Sequence, residues 1–142
     1  MSGTKIHKSK TYELLKDAFT NDCFGAHMAR LFADIAISEG VPVVAGEFTD
    51  LARSDEVHAT SYFNILRDAG ELSFGFRTGH TADNVKALLS REVIKADRCA
   101  ALIKISNDEG LEEISGMMEE ISLGQMTHIA RLTHLIKTNV RW

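Results

Sequence analysis

The chain has 142 residues, a formal net charge of −4 and a pI of about 5.8. That length predicts one domain with a hydrophobic core of its own. The acidic balance, with no basic stripe, argues against nucleic acid as a partner. No run of about 18 apolar residues occurs, so no membrane-spanning segment is expected. The basic segment 1–10 is followed by no apolar run and is therefore not typical of a secretory signal.

The two cysteines, Cys23 and Cys99, belong to no C-x-x-C motif, the spacing that is typical of redox-active or metal-binding cysteine pairs. Isolated cysteines outside a disulfide framework indicate reduced, buried thiols. A disulfide between the two is the alternative interpretation. The sequence therefore predicts a cytoplasmic protein with two buried, reduced cysteines.

The first long periodic segment runs from about residue 10 to residue 39, with small and apolar side chains repeating every three or four positions. This spacing predicts a helix with one apolar face. Gly40 is expected to end that helix, and Pro42, the one proline of the chain, to begin the second. The second periodic segment continues to about Gly70. Because the loop between them is short, the two helices should form an antiparallel hairpin.

The third helix is expected to open after Thr81, which is placed as its N-cap with Asn84 three residues later. The segment ends at Gly110, a residue type that commonly follows a helix. A fourth helix is predicted around 114–135, where apolar residues again recur at helical spacing. Four amphipathic helices in two hairpins predict an all-α, ferritin-like four-helix bundle over residues 1–142.

The segment 70–81, GELSFGFRTGHT, has no helical period and is predicted to be the crossover between the two hairpins. Its twelve residues reach at most about 40 Å when fully extended, and a helix of roughly 26 residues is itself about 39 Å long. Either the connection runs nearly straight, or the two halves of one chain pack into different bundles. The second alternative predicts a domain-swapped or intimately paired homodimer.

The two halves of the chain align without a gap at an offset of 70 residues, since 92 − 22 and 128 − 58 both equal 70. Each half has an acid on its first helix, then an acid or amide and a histidine three residues apart on its second helix. Residues at that spacing lie on one face of a helix. The matched pairs are Asp22 with Glu92, Asp55 with Gln125, and His58 with His128.

Acidic side chains on an apolar helix face are costly to bury unless they are paired or bind a metal. Oxygen ligands combined with imidazole suit iron or manganese. The pattern therefore predicts a site for iron in one or two copies, with manganese and zinc as alternatives. Its candidate ligands are Asp22, Asp55, His58, Glu92, Gln125 and His128.

Four pieces of the chain look like the ferritin-like domain of rubrerythrins, and together they cover about residues 11–137. They are LLKDAFTNDCFGAHMARLFADIAISEG, EFTDLARSDEVHATSYFNIL, NVKALLSREVIKADRCAALIKISNDEG and GMMEEISLGQMTHIARLTHLI. The resemblance implies a di-iron, commonly dimeric four-helix bundle that reduces hydrogen peroxide. It makes Asp22 and Glu92 the single acids of helices one and three. The other four candidates become the two motifs of a bridging acid and a histidine.

The chain departs from that family pattern at several ligand positions. Aspartate stands at 22 and 55 where the family has the longer glutamate, and the neutral Gln125 replaces a bridging glutamate. Lys95 stands one turn after Glu92, where rubrerythrins carry an additional glutamate. The Cys-rich rubredoxin tail of long rubrerythrins has no counterpart in this sequence. The resemblance therefore implies a separate electron donor.

Two functions from different classes follow. The first is a rubrerythrin-like metal-binding protein that handles iron or reduces peroxide, with an iron-dependent hydroxylase or oxidase as a variant. The second is a degenerate ferritin-like bundle without redox chemistry, which acts as a structural or partner-binding dimer. In the second, Lys95 replaces the metal as counter-ion, although a solvated flank is the more common place for such a lysine. Gln125 is expected to donate a hydrogen bond to a carboxylate.

Overall fold

A computed structural model describes residues 9–73 and 75–138 of the chain. Its long elements confirm the predicted all-α fold class, with the four helices that a ferritin-like bundle requires. Residues 1–8, most of the basic N-terminal segment, lie outside the described residues. The elements are α1 (Lys10–Ser38), α2 (Pro42–Asp68), β1 (Leu72–Ser73), β2 (Phe76–Arg77), α3 (Thr81–Asp108) and α4 (Glu112–Lys137).

The chain divides into two compact units, residues 1–71 and 72–142. In the first unit α1 packs against α2, and this pair is called the first hairpin. In the second unit α3 packs against α4, and this pair is called the second hairpin. The two helical hairpins predicted from the short loops are therefore confirmed.

The ends of the helices have recognisable caps. Ser9 precedes α1, and its hydroxyl accepts a hydrogen bond of 3.2 Å from the backbone N–H of Tyr12. Gly40 and Gly110 follow α1 and α3 with φ of +77° and +74°, a left-handed conformation that favours glycine. Pro42 is then well suited to begin α2, because the first turn of a helix needs no N–H there.

The third helix begins one residue earlier than predicted. Its N-cap is His80, so the placement of Thr81 as N-cap is wrong by one position. The side chain of Asn84 instead reaches back out of the helix, and its Oδ1 accepts a hydrogen bond of 3.0 Å from the backbone N–H of Gly79. That contact closes the turn before α3, which is the role that a capping side chain would otherwise have.

The connection between the hairpins contains a small β-hairpin. Leu72 pairs with Arg77 and Ser73 with Phe76 in antiparallel fashion, and Gly75 has a φ of +87° where the chain reverses. The segment is non-helical, as predicted. A nearly straight course is wrong, because a chain that turns back on itself cannot remain extended.

Most of the buried side chains of the first hairpin are small. Buried alanines lie along the facing sides of both helices, and Ala52 has no exposed surface. Small residues at a helix contact let the two backbones approach closely. We call this set the alanine seam, and it consists of Ala26, Ala29, Ala33, Ala36, Ala45, Ala52 and Ala59.

Larger apolar side chains remain exposed along one face of each hairpin. Val44 and Leu51 are spaced at seven residues on α2, and Ile114 and Ile121 are their counterparts on α4. A spacing of seven keeps side chains on one helix face. We call each pair the apolar stripe of its hairpin.

None of the described helices combines the length and the apolar character that a membrane span requires.

Substituting Ala52 by leucine tests the alanine seam. Because this side chain is fully buried between two close helices, A52L should lower the free energy of unfolding by about 1–3 kcal/mol. Urea denaturation followed by circular dichroism measures the change. The control is A100L at an exposed position of α3, which should stay within about 0.5 kcal/mol of the wild type. Equal effects of the two substitutions would contradict a tightly packed seam.

Candidate metal centre

The first hairpin brings three of the predicted ligands to the alanine seam. On α1, Asp22 precedes Ala26 by four residues and so shares its helix face. On α2, Asp55 lies between Ala52 and Ala59, again at helical spacing. His58 is one turn from Asp55. The close contact of α1 with α2 therefore brings the acid of one helix beside the acid and histidine of the other.

The donor atoms of Asp22, Asp55 and His58 all lie within 4.8 Å of one another. His58 Nδ1 is 3.7 Å from Asp22 Oδ2. Two ligands that are each about 2.1 Å from one ion lie about 3–4 Å apart, so small side-chain rotations would suffice to coordinate it. Among the described residues this is the one group of three His, Cys, Asp or Glu side chains that meets this condition.

The cluster is half-buried rather than enclosed. The Asp22 side chain is 25% exposed and the His58 side chain 56% exposed. Two carboxylates with a formal charge of −2 therefore lie beside an imidazole that solvent can reach. Such an arrangement can attract a divalent cation and still leave part of its coordination sphere open to small molecules.

Gly25 is part of this site, although the sequence did not predict it as a site residue. A Cβ atom at Gly25 would lie only 2.8 Å from Asp55 Oδ2. The missing side chain therefore gives the Asp55 carboxylate its space against α1. A glycine three residues after Asp22 in the middle of a helix was the available signal, since an interior glycine costs about 1 kcal/mol relative to alanine.

Cys23 is exposed, so the prediction that both cysteines are buried is wrong for this residue and right for Cys99. Cys23 follows Asp22 directly and is turned about 100° away from it round the helix. Partial burial of the thiol, and secondarily the Asp22 carboxylate, raise the pKa of Cys23. Cys23 is also not one of the three side chains whose donor atoms converge in the cluster. Both cysteines are free thiols, as predicted.

Glu92 of the second hairpin is buried, at 8% exposure, and is already paired with two cations. Lys95 Nζ lies 3.2 Å from Glu92 Oε1 and 3.4 Å from Oε2. Arg91 Nη1 lies 2.9 Å from the same Oε1. Lys95 is 38% exposed, so it lies at a solvated flank, and its ammonium group also contacts this carboxylate. The alternative, in which Lys95 acts as counter-ion, describes the contact.

Gln125 and His128 do not form a second cluster of the same kind. Gln125 is buried, and its Oε1 has no hydrogen-bond donor among the described residues. The expectation that Gln125 donates a hydrogen bond to a carboxylate stays a prediction. His128 is exposed and lines a cavity of about 280 Å³ together with Glu92 and Arg131. Of the six predicted ligands, Asp22, Asp55 and His58 therefore lie close together. The other three, Glu92, Gln125 and His128, form no such group within the second hairpin.

Comparison with known proteins gives one clear similarity. No family model matches the chain. The chain is similar to a rubrerythrin. It is 28% identical over 136 residues to the rubrerythrin of Porphyromonas gingivalis, and the match covers 92% of this chain and 68% of that protein. The match spans both hairpins, in agreement with the resemblance of the sequence to rubrerythrins and with the four helices of the structure.

Substituting Gly25 by alanine tests whether the position of Asp55 matters to the site. The new methyl group should displace the Asp55 carboxylate and weaken metal binding roughly tenfold, an effect typical of residues that position a ligand. Titration calorimetry with Mn²⁺ measures the affinity.

The matched control for this test is G46A on α2. A Cβ at Gly46 meets nothing within 4 Å, so this variant has the same gain in helix propensity without a clash. Its Mn²⁺ affinity should equal that of the wild type. If G25A also binds Mn²⁺ like the wild type, Gly25 has no role in placing Asp55.

Proposed function

We propose that the chain is a rubrerythrin-like metal-binding protein that holds iron at Asp22, Asp55 and His58. The observation that carries this proposal is the approach of their three donor atoms to within 4.8 Å. Two carboxylates balance the charge of one divalent ion, while a neutral imidazole adds a third ligand without changing the charge. The similarity to a rubrerythrin supports iron as the ion.

The ligand types narrow the choice of metal further. Two carboxylate oxygens and one imidazole nitrogen suit Fe²⁺ or Mn²⁺, whereas thiolate ligands would favour softer or more thiophilic metals. Zn²⁺ also accepts this ligand set and is the competitor to test. The converging donors are two carboxylates and one imidazole with no cysteine among them, which supports an oxygen and nitrogen site.

We further propose redox chemistry with hydrogen peroxide as the substrate, on the basis of the resemblance to rubrerythrins. Reducing one hydrogen peroxide to two waters takes two electrons and two protons. A single bound iron would pass the two electrons one at a time from the donor and would offer a position for the substrate. The chain's own part is to hold the ion with three side chains and leave its remaining positions accessible. The exposure of His58 supports such access. Electrons would come from a separate donor protein.

The exposed apolar stripes support a homodimer as the working form. Fully burying a valine, leucine or isoleucine side chain contributes about 1.5–3 kcal/mol, and each stripe offers two such residues. The proposed dimer buries the stripe of the first hairpin against the second hairpin of the partner copy, which is a domain-swapped arrangement. The β-hairpin in the connection supports it, since that segment does not run extended.

A second candidate function is a structural or partner-binding dimer without redox chemistry. The pairing of Glu92 with Lys95 and Arg91 favours it, because one predicted ligand already has its counter-ions. The two functions differ in what Asp55 and His58 do. Replacing both by leucine should raise stability if they are an idle polar cluster. The same change should abolish stabilisation by metal if they are ligands.

Metal-dependent stability tests the main proposal. At a free concentration of about 100 times its Kd, an ion that binds the folded state alone adds about 2.7 kcal/mol to the free energy of unfolding. Wild-type protein should show this gain with Mn²⁺, or with Fe²⁺ under anaerobic conditions, in thermal unfolding. D55N should lose it. The control D50N changes an exposed aspartate of α2 outside the cluster and should retain it. No gain in the wild type would refute the metal site.

Light scattering tests the proposed homodimer. L51K places a charge in the apolar stripe of the first hairpin, so the dimer should dissociate to monomer at micromolar concentration. V57K is the control, because Val57 is exposed but lies about 120° round the helix from Leu51. V57K should remain dimeric. A monodisperse wild-type monomer would rule the dimer out.

A further inference from the structure

We infer that Glu92 forms ion pairs with Lys95 and Arg91 and is not a metal ligand. Each chain then holds one ion, at Asp22, Asp55 and His58, in place of the two that the resemblance to rubrerythrins implies. This inference rests on the proposed function, because it concerns how many ions the same protein holds. The residues of the second hairpin do not fit a second metal ion.

The first reason is that the oxygens of Glu92 are already engaged. Lys95 Nζ lies within 3.4 Å of both of them, and Arg91 donates to Oε1 at 2.9 Å. The carboxylate lies beneath its partners, with 10% of its side chain exposed against 38% for Lys95 and 44% for Arg91. An ion that approached Glu92 would first have to displace an ammonium group or a guanidinium group.

The second reason is the balance of charge. One carboxylate and two cations give the surroundings of Glu92 a formal charge of +1, from −1 + 2. The corresponding carboxylates of the first hairpin, Asp22 and Asp55, give −2. A divalent cation is repelled by the first environment and attracted by the second. The amide of Gln125 adds no negative charge to change this.

The third reason appears when the two halves are aligned at the offset of 70. Arg91 then corresponds to Asn21, and Lys95 corresponds to Gly25. In the first hairpin both of these flanking residues are neutral. Gly25 has no side chain, and this leaves space for Asp55 Oδ2. In the second hairpin both positions carry a cation.

The position of Lys95 makes this pair local to α3. Lys95 follows Glu92 by three residues, a spacing that brings the two side chains together on one helix. The contact therefore forms within a single helix and depends on no other element. The local sequence of α3 therefore accounts for the cations that lie beside Glu92 and have no counterpart beside Asp22.

Metal stoichiometry of four proteins tests the inference. Wild type, E92Q, E92Q/K95M and D55N are titrated with Mn²⁺ by calorimetry, and the bound metal is counted by elemental analysis after desalting. Wild type should bind one ion per chain, and E92Q should bind one with a Kd within about twofold of the wild type. The double variant removes the lysine that E92Q leaves without its partner, so it should fold and bind like the wild type even if E92Q is unstable.

Two results would overturn the inference. One is two ions per wild-type chain. The other is a Kd raised tenfold or more in both E92Q and E92Q/K95M, the size of effect expected when a metal site is disturbed. Different results would contradict the proposed function. They are a wild-type protein that binds no Mn²⁺, or a D55N variant that binds Mn²⁺ as tightly as the wild type does.

Discussion

The close approach of α1 and α2 along the alanine seam is the constraint on which the candidate site depends. Because the facing residues are small, the helices can come near enough for Asp22 on one to meet Asp55 and His58 on the other. Gly25 extends the same principle to the site itself, since any side chain there would crowd Asp55. A seam of larger residues would push the helices apart and separate the three donors.

The small seam also explains why large apolar side chains remain exposed. Helices that meet through alanines bury little apolar area between them, so the first hairpin keeps an uncovered stripe. Charge then distinguishes the two hairpins. The first gathers two carboxylates without a lysine or arginine, whereas the second places Arg91 and Lys95 against Glu92. The internal repeat therefore preserves positions while the chemistry of its halves differs.

The sequence predicted the helices well, because their apolar periodicity runs over many turns and glycine or proline marks several of their ends. It predicted the small β-hairpin poorly, since strands of two residues leave no periodic pattern. It also placed Asp22, Asp55 and His58 on adjoining helices, and the structure brings them together. The sequence left open whether Lys95 pairs with Glu92, because a lysine three residues from a glutamate can extend into solvent as readily as it can pair.

Anomalous X-ray scattering from crystals grown with Mn²⁺ tests the central claim most directly. The account predicts one strong peak per chain, about 2.1 Å from oxygens of Asp22 and Asp55 and from a ring nitrogen of His58. Lys95 should remain against Glu92 in the same crystals. A peak at Glu92, or none near Asp55, would contradict the account.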